Sequence, residues 1–451
     1  MRSVSILKSS WREPAEVLAA LAEEDFALGL LSAGGGRRGR WSYVLARPAE
    51  VLVMGPGDRG DPFAAMSRML GGAQARDPAG PPFQGGLAGL LGYELGARLE
   101  QVGHPGHPDW PDVACGLYLE ALAFDHQTGE VFAVGRGDSE AAARRRAEAA
   151  LEWLSAATPA RPPEGPLAQS FDPITPGEDY ETAVAAVVGR IAAGEIFQAN
   201  ISRGWGGRLV EGVRPIDLFQ RLHVDSPAPF GAYLKLPGRA AVSNSPERFV
   251  SIVEQDGLIV EARPIKGTRP RGATPAKDQA LMQELLACEK DRAENLMIVD
   301  LMRNDLSRVC PAGAVGVSEL FTIESFANVH HLVSTVTGRL RPGLTSLDLL
   351  EAAFPPGSIT GAPKIQAMKV IADYEGPRGP YCGSFFWSGF DGAADSSVLI
   401  RTVGLLEDAG GWRFEARAGA GIVADSDPHL ERLETEAKID AIRRAMLGLP
   451  R

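Results

Sequence analysis

The stretch Glu261-Ala-Arg-Pro-Ile-Lys-Gly-Thr-Arg-Pro-Arg-Gly272 constrains the chain more than any other, because it ties a buried strand to a stiff, charged exit. The apolar run Leu258-Ile259-Val260 reads as that strand, and Pro264 and Pro270 pin the backbone as the chain leaves it. Lys266 is thereby held on a rigid turn. Arg263, Arg269 and Arg271 are its neighbours in sequence, and like charges disfavour a protonated amine, the condition a lysine nucleophile needs. The bias has to be large: an ordinary lysine is about 0.04% neutral at pH 7, so full neutrality takes roughly 4–5 kcal/mol from the surroundings. On spacing alone the stretch reads as readily as a basic loop that binds an anion or is simply solvated.

A chain of 451 residues, 45% hydrophobic and 23% charged, buries a large core and is expected to fold as two lobes or one oversized domain. Its net charge of −11 argues against nucleic acid or an anionic membrane as a partner, since both need a basic surface. Cys115, Cys288, Cys310 and Cys382 form no CxxC pair, which fits reduced thiols in the cytoplasm. The N-terminus, Met1 to Lys8, lacks the apolar core of a signal peptide, and no run approaches the roughly 20 apolar residues of a membrane span.

Thr158–Pro176 carries six prolines and no hydrophobic period, and it is taken as a linker between an N-terminal region, 1–157, and a catalytic region, 177–451. Before it, Gly34–Arg40 reads as a surface loop, Gly85–Glu94 as a strand or strand–helix junction, and Ser139–Ala157 as a helix. His104 and His107 with Asp109 and Asp112 suggest a metal site, but a stiff surface loop explains them more simply. After it, apolar spacing predicts a helix over Ala276–Leu301 and another from Asp427-Pro428 onward, with Leu430, Leu433, Ala437 and Ala441 as its core stripe. The strand pattern around His330-His331 predicts one imidazole facing in and the other out.

Asp291/Glu294 and Glu431/Glu434 are acid pairs three residues apart on these two helices, able to offer hard oxygens to one Mg²⁺ or merely to form solvated faces. Gly419-Ala-Gly-Ile-Val-Ala424 fits GxGxxA, but Asp425-Ser-Asp-Pro428 interrupts where a Rossmann helix would run, so a dinucleotide site is rejected. Pro355 to Lys364 lacks the GK[ST] of a P-loop and reads as a small-anion cradle or a tight turn. Glu247, in Ser245-Pro-Glu-Arg-Phe249, follows a strand and is a candidate general acid or base.

Together these segments resemble the chorismate-utilising enzymes, a family that includes anthranilate, aminodeoxychorismate, isochorismate and salicylate synthases. The resemblance rests on Gly194-Glu-Ile-Phe-Gln-Ala-Asn-Ile, Ser245-Pro-Glu-Arg-Phe, Pro264-Ile-Lys-Gly-Thr-Arg-Pro-Arg, Ala293 to Leu306, Pro356 to Lys364, Ile400-Arg-Thr and Ala418-Gly-Ala-Gly-Ile-Val, in order along about residues 180–445. It implies an α/β (α+β) fold of the anthranilate synthase component I type, with a large antiparallel β-sandwich core flanked by helices. Lys266 stands where anthranilate and isochorismate synthases typically carry a small residue and aminodeoxychorismate synthases commonly carry lysine. Phe197-Gln198-Ala199 replaces the base lysine of isochorismate-type members, which counts against water as nucleophile.

The resemblance therefore implies amination of chorismate at C4, with ammonia from a separate glutamine amidotransferase subunit, since no cysteine here lies in a glutaminase nucleophile context. It implies Lys266 as nucleophile, Glu247 as general acid/base and His331 as a helper. Glu294 and Glu434 are the implied primary Mg²⁺ ligands, Asp291 and Glu431 the supporting ones. Gly267, Thr268, Ser358, Thr360, Gly361, Tyr381, Arg401, Gly419, Ala420, Gly421 and Lys438 match substrate-pocket positions. Leu30-Leu31-Ser32-Ala33 lacks the acidic residue of feedback-regulated anthranilate synthases, so tryptophan inhibition is not implied. Anthranilate synthesis and a catalytically silent chorismate-binding scaffold stay open as alternatives.

Overall fold

The computed structural model describes residues 3–32, 39–100, 102–103, 105–157, 161–255, 257–325 and 329–450. Residues 34–38 of the Gly/Arg loop, Ala33, His104 and residues 158–160 of the Pro-rich stretch lie outside that description, as do the first two residues and the last. Two large sheets, every described pairing antiparallel, face each other. The first runs in spatial order Ser3–Ser10, Glu130–Gly137, Glu120–Asp125, Trp41–Leu45, Leu28–Leu31, Phe230–Leu236, Arg239–Ser245, Thr402–Asp408, Gly411–Ile422, Gln198–Arg208 and Gly361–Ala362, and Asp172–Pro173 also pairs with Gln198–Arg208. The second runs Ile265–Pro270, Val329–Arg339, Leu258–Ala262, Arg248–Glu254, Ala394–Val398, Ser384–Gly389, Gly86–Leu91, Val113–Tyr118 and Glu50–Met54, and Gly316–Ser325 also pairs with Val329–Arg339.

Period-two alternation decides which side each strand residue serves. In Trp41–Leu45, Val44 joins the outer helices while Tyr43 and Leu45 enter the space between the sheets, where Phe83, Leu90, Trp110, Tyr118, Phe385 and Trp387 form a dry interior. Helices Pro14–Leu21, Glu140–Ala156 and Pro215–Asp225 cover the outer face of the first sheet. Pro62–Leu70, Glu289–Ser307 and Ser346–Ala353 cover that of the second. This is the sandwich flanked by helices that the sequence implied. Both sheets take strands from either side of residues 158–176, and the described part of that stretch is itself packed: Leu167, Ala168 and Phe171 are buried, and the Leu167 and Ala168 amides donate to the Met446 carbonyl.

Three local expectations need correction. The helix foreseen over Ala276–Leu301 is two helices, Pro275–Ala287 and Glu289–Ser307, parted at Cys288, whose ψ of 106° is extended. The last helix, Pro428–Leu447, starts as foreseen, Asp427 Oδ1 accepting from the Leu430 amide at 2.9 Å, but its expected core stripe is misplaced. Leu430 is 63% and Leu433 43% exposed, while Glu431, Thr435, Ile439 and Ile442 face the protein. His330 and His331 do point to opposite faces of Val329–Arg339, yet both are buried, because the helix Pro275–Ala287 covers the side His330 takes: its Nε2 lies 2.9 Å from Asp278 Oδ1. Among the described residues no helix is long and apolar enough to cross a membrane.

Candidate active site

A cavity of about 470 Å³ opens where the chain crosses from one sheet to the other. Ser245-Pro246-Glu247 carries the chain from the first sheet into the second, and residues 399–401 carry it back, so Glu247 and Arg401 arrive side by side from two crossings. The Asn244 amide donates to the Arg401 carbonyl at 3.0 Å and the Val398 amide to the Glu247 carbonyl at 3.0 Å, which staples the crossings together. Arg401 holds φ at +52°, a conformation that costs a non-glycine residue energy and is found where function demands it. Its guanidinium is set into the cavity, and burial pushes its basicity down.

The floor is the antiparallel pair Gln198–Arg208 and Gly411–Ile422, in register Asn200 to Gly421 and Ser202 to Gly419. The glycines there make room for functional side chains. A Cβ on Gly421 would stand 3.1 Å from both Lys266 Nζ and Gln198 Nε2, and one on Gly419 would stand 2.6 Å from Asn200 Oδ1. A third wall is the pair Ile265–Pro270 and Val329–Arg339, which brings Thr268 Oγ1 within 2.9 Å of His331 Nδ1. Gly267, at φ +84°, lets this strand pass Asp291, whose Cγ would be 2.9 Å from an added Cβ.

Helices Glu289–Ser307 and Pro428–Leu447 supply the acid wall: Asp291, Glu294, Glu431 and Glu434 all line the cavity. Each meets a protein cation or hydroxyl. Lys266 Nζ is 3.7 Å from Glu294 Oε2, Lys438 Nζ 2.6 Å from Glu434 Oε1, Arg269 3.2 Å from Asp291 Oδ2, and Ser426 Oγ donates to Glu431 Oε1 at 2.6 Å. Burial pushes Glu434 up, but Lys438, Lys266 and Lys290 together hold it below the usual carboxylate range; for Glu431 burial prevails and raises it. Among the described residues no three His, Cys, Asp or Glu side chains converge closely enough to hold a metal as they stand.

The arginines expected to surround Lys266 are instead spent on carboxylates. Arg263 pairs with Glu319 and Glu324, Arg269 with Glu284 and Asp291, and Arg271 with Asp278. The charge next to Lys266 is the opposite one, Glu294. Glu247 is buried, and that burial pushes its carboxyl up to about 7 against hydrogen bonds from Ser358 and the Ile265 amide and the attraction of Lys266. Burial, aided by Arg401, pushes His331 down to about 4, so its imidazole is neutral near pH 7.

The cavity thus gathers Lys266, Glu247, His331, Gly267, Thr268, Ser358, Tyr381, Arg401, Gly419, Gly421, Lys438 and the four acids. Three expected pocket residues lie off it. Thr360 is fully buried, its hydroxyl donating to the Pro356 and Gly357 carbonyls. Gly361 pairs with Ala199 so closely that a Cβ would sit 2.1 Å from the Gln198 carbonyl. Ala420 points to the other face of its strand, into a cluster with Ile201, Val370 and Ile371. Sequence reading missed Asn200, Lys290 and Arg417, all on the cavity wall. The signal for Asn200 was there, a polar residue two from Gln198 and so on the same strand face. Arg417 shares Glu375 with Arg378 and takes Ser202 Oγ as well, contacts that span the sequence and leave no local pattern.

The model of the chorismate binding enzyme family matches residues 31–444. The chain belongs to that family. Within it, the chain is 37% identical to aminodeoxychorismate synthase component 1 of Klebsiella aerogenes, covering 98% of this chain and 99% of that one. It is 38% identical to anthranilate synthase component 1 of Streptomyces coelicolor, over 94% and 84%. The solved structure of anthranilate synthase component I from Streptococcus pneumoniae superposes with a TM-score of 0.78 at 28% identity, covering 91% of this chain and 94% of that one. The fold and the chorismate-binding character implied by the sequence therefore stand. Relatives of both names match at similar identity, so likeness alone does not separate the two reactions.

Proposed function

We propose that the protein aminates chorismate at C4 through a covalent adduct on Lys266, as an aminodeoxychorismate synthase component 1. Ammonia would come from a separate glutamine amidotransferase subunit, and the product, 4-amino-4-deoxychorismate, would feed 4-aminobenzoate and folate synthesis in the cytoplasm. The observation that carries the reading is the position of Lys266: its amine projects over Gly421, between the acid wall and the amides of the floor, inside the cavity that also holds Glu247 and Arg401.

With its ammonium proton released to solvent, Lys266 forms a bond from its lone pair to C2, the conjugated double bonds of the ring shift toward C4, and the C4–O bond breaks. Glu247, a buried acid poised near neutrality, gives the departing hydroxyl its proton. Ammonia then bonds to C4, the double bonds shift back, and the C2–N bond breaks with its electron pair returning to Lys266, which takes a proton from the new ammonium. Arg401 offers a bidentate fork to the enolpyruvyl carboxylate. Neutral His331, hydrogen-bonded to Thr268, assists as a ring-facing donor or acceptor.

Magnesium suits the acid wall by the chemistry of its donors: four carboxylates supply hard oxygens, and Asp291 Oδ2, ion-paired with Arg269 at 3.2 Å, accepts no hydrogen bond among the described residues. Glu294 and Glu434 are the proposed ligands, with Asp291 and Glu431 in support. Bound there, Mg²⁺ would supply Lewis-acid attraction for the ring carboxylate.

Amination at C2, yielding anthranilate, is the second reading, supported by the relative of that name at 38% identity. The proposal is tested by mixing enzyme and chorismate without ammonia, quenching, and weighing the peptide that contains Lys266. The expected gain is the mass of chorismate less one water, absent in Lys266→Ala. Full C4 amination by Lys266→Ala would remove the covalent route.

A further inference from the structure

The strand that carries Lys266 does not pair evenly. Against Val329–Arg339, Ile265 lies opposite Val333 and Thr268 opposite His331, so Lys266 and Gly267 together stand opposite Leu332 alone. That is a β-bulge, a device that re-aims a side chain, and Gly267 at φ +84° lets the backbone make it. On its other edge the same central strand meets a second bulge. Glu319 lies opposite Thr335 and Thr322 opposite Val333, which leaves Leu320 and Phe321 opposite Ser334, with Phe321 at φ +56°. A bulky residue rarely holds that conformation, and it persists only where the surroundings fix it.

One side chain bridges both irregularities. Asn295, fully buried on the helix Glu289–Ser307, donates from Nδ2 to the Leu332 carbonyl at 3.4 Å and accepts at Oδ1 from Ser334 Oγ at 2.5 Å. Ser334 Oγ in turn accepts from the Phe321 amide at 3.1 Å, and the Ser334 amide donates to the carbonyl of Pro264, two residues before Lys266, at 3.4 Å. Arg292, on the same helix, sets its guanidinium 5.0 Å from the centre of the Phe321 ring.

We infer that Asn295 and Ser334 are positioning residues for Lys266, clamping its bulge to the helix that carries Asp291 and Glu294; the inference rests on the covalent route proposed above. Neither residue lines the cavity. A bulge interrupts the ladder, so strand pairing alone does not fix the direction of the Lys266 side chain. The amide of Asn295 presents donor and acceptor in one plane, and it meets the Leu332 carbonyl and the Ser334 hydroxyl together only when helix and strand keep one separation. Lys266 Nζ is thereby held 3.7 Å from Glu294 and over Gly421, aimed at the space a bound ring would fill.

The test uses the full chain with chorismate and Mg²⁺. Ser334→Ala removes the hydroxyl that both Asn295 and Phe321 use. It should slow the appearance of the Lys266 adduct, followed without ammonia by the mass of its peptide, and lower kcat with ammonium chloride, each about 10–100-fold, while KM for chorismate stays within about twofold. Ser334→Thr, which keeps the hydroxyl, should restore most of the rate. Asn295→Leu, judged in the same way, covers the case in which Ser334→Ala fails to fold. Wild-type adduct formation and kcat in a folded variant, even one with a lowered melting temperature, would reduce the clamp to a structural role and overturn the inference. So would a loss expressed in KM for chorismate with kcat unchanged. A wild type that turns over without forming the adduct would refute the covalent route instead, and the kcat of the variants would still decide whether the clamp aligns the site.

Discussion

Replacing Glu247 by glutamine should change the pH dependence of stability in a calculable way. The carboxyl is buried at 5% exposure and pushed from its ordinary 4.5 up to about 7, chiefly by burial. An acid whose folded pKa is raised binds its proton more tightly in the native state. Its contribution is therefore fully present below 4.5 and is lost as pH rises through 7. The full difference is worth about 3 kcal/mol, and between about pH 5 and pH 8.5 roughly 2.5 kcal/mol of it should disappear. Glutamine fits the same space without titrating. Urea denaturation of the metal-free protein at both pH values should show the wild type losing that amount more than Glu247→Gln, while Glu94, also pushed to about 7 by burial, contributes equally to both and cancels. The variant should also lose on the order of 10²–10⁴-fold in kcat if Glu247 is the general acid. Parallel stability profiles would refute the burial that underlies this role.

Glu375→Ala should destabilise the protein by about 3–5 kcal/mol in chemical denaturation, because it leaves Arg378 and Arg417 buried with their shared carboxylate gone. Gly421→Ala should lower kcat with little change in melting temperature, since the new methyl meets Lys266 Nζ and Gln198 Nε2 at 3.1 Å and displaces two flexible side chains rather than backbone. A kcat equal to wild type would mean that the Lys266 amine acts elsewhere. His331 lies at about 4, so the pH profile of kcat/KM should carry no limb near 6.5 that vanishes in His331→Gln.

The sequence carried the architecture and most of the cavity because those rest on local patterns: a strand, Leu258–Ala262, that stops short of Pro264, an aspartate cap before Pro428, acid pairs one helical turn apart; the rigid turn expected at Lys266 is instead a second strand, Ile265–Pro270. It failed where tertiary context reverses a local rule. Leu430, Leu433, Ala437 and Ala441 make an apolar stripe that a local rule assigns to the core, yet Leu430 and Leu433 are exposed. The fold turns Glu431 and Thr435 inward because that end of the helix overlooks a polar cavity rather than a dry sheet face. The arginines flanking Lys266 are neighbours along the chain, but alternation along a strand and partners as distant as Glu319 and Glu324 carry them away from it. Ala420 shares a motif with the glycines on either side, but period two places it on the opposite face.

The most direct measurement is the identity of the product formed from chorismate, Mg²⁺ and ammonium at alkaline pH, with and without the lyase that completes 4-aminobenzoate. The account predicts 4-amino-4-deoxychorismate that becomes 4-aminobenzoate only when the lyase is added. Fluorescent anthranilate appearing without the lyase would contradict it.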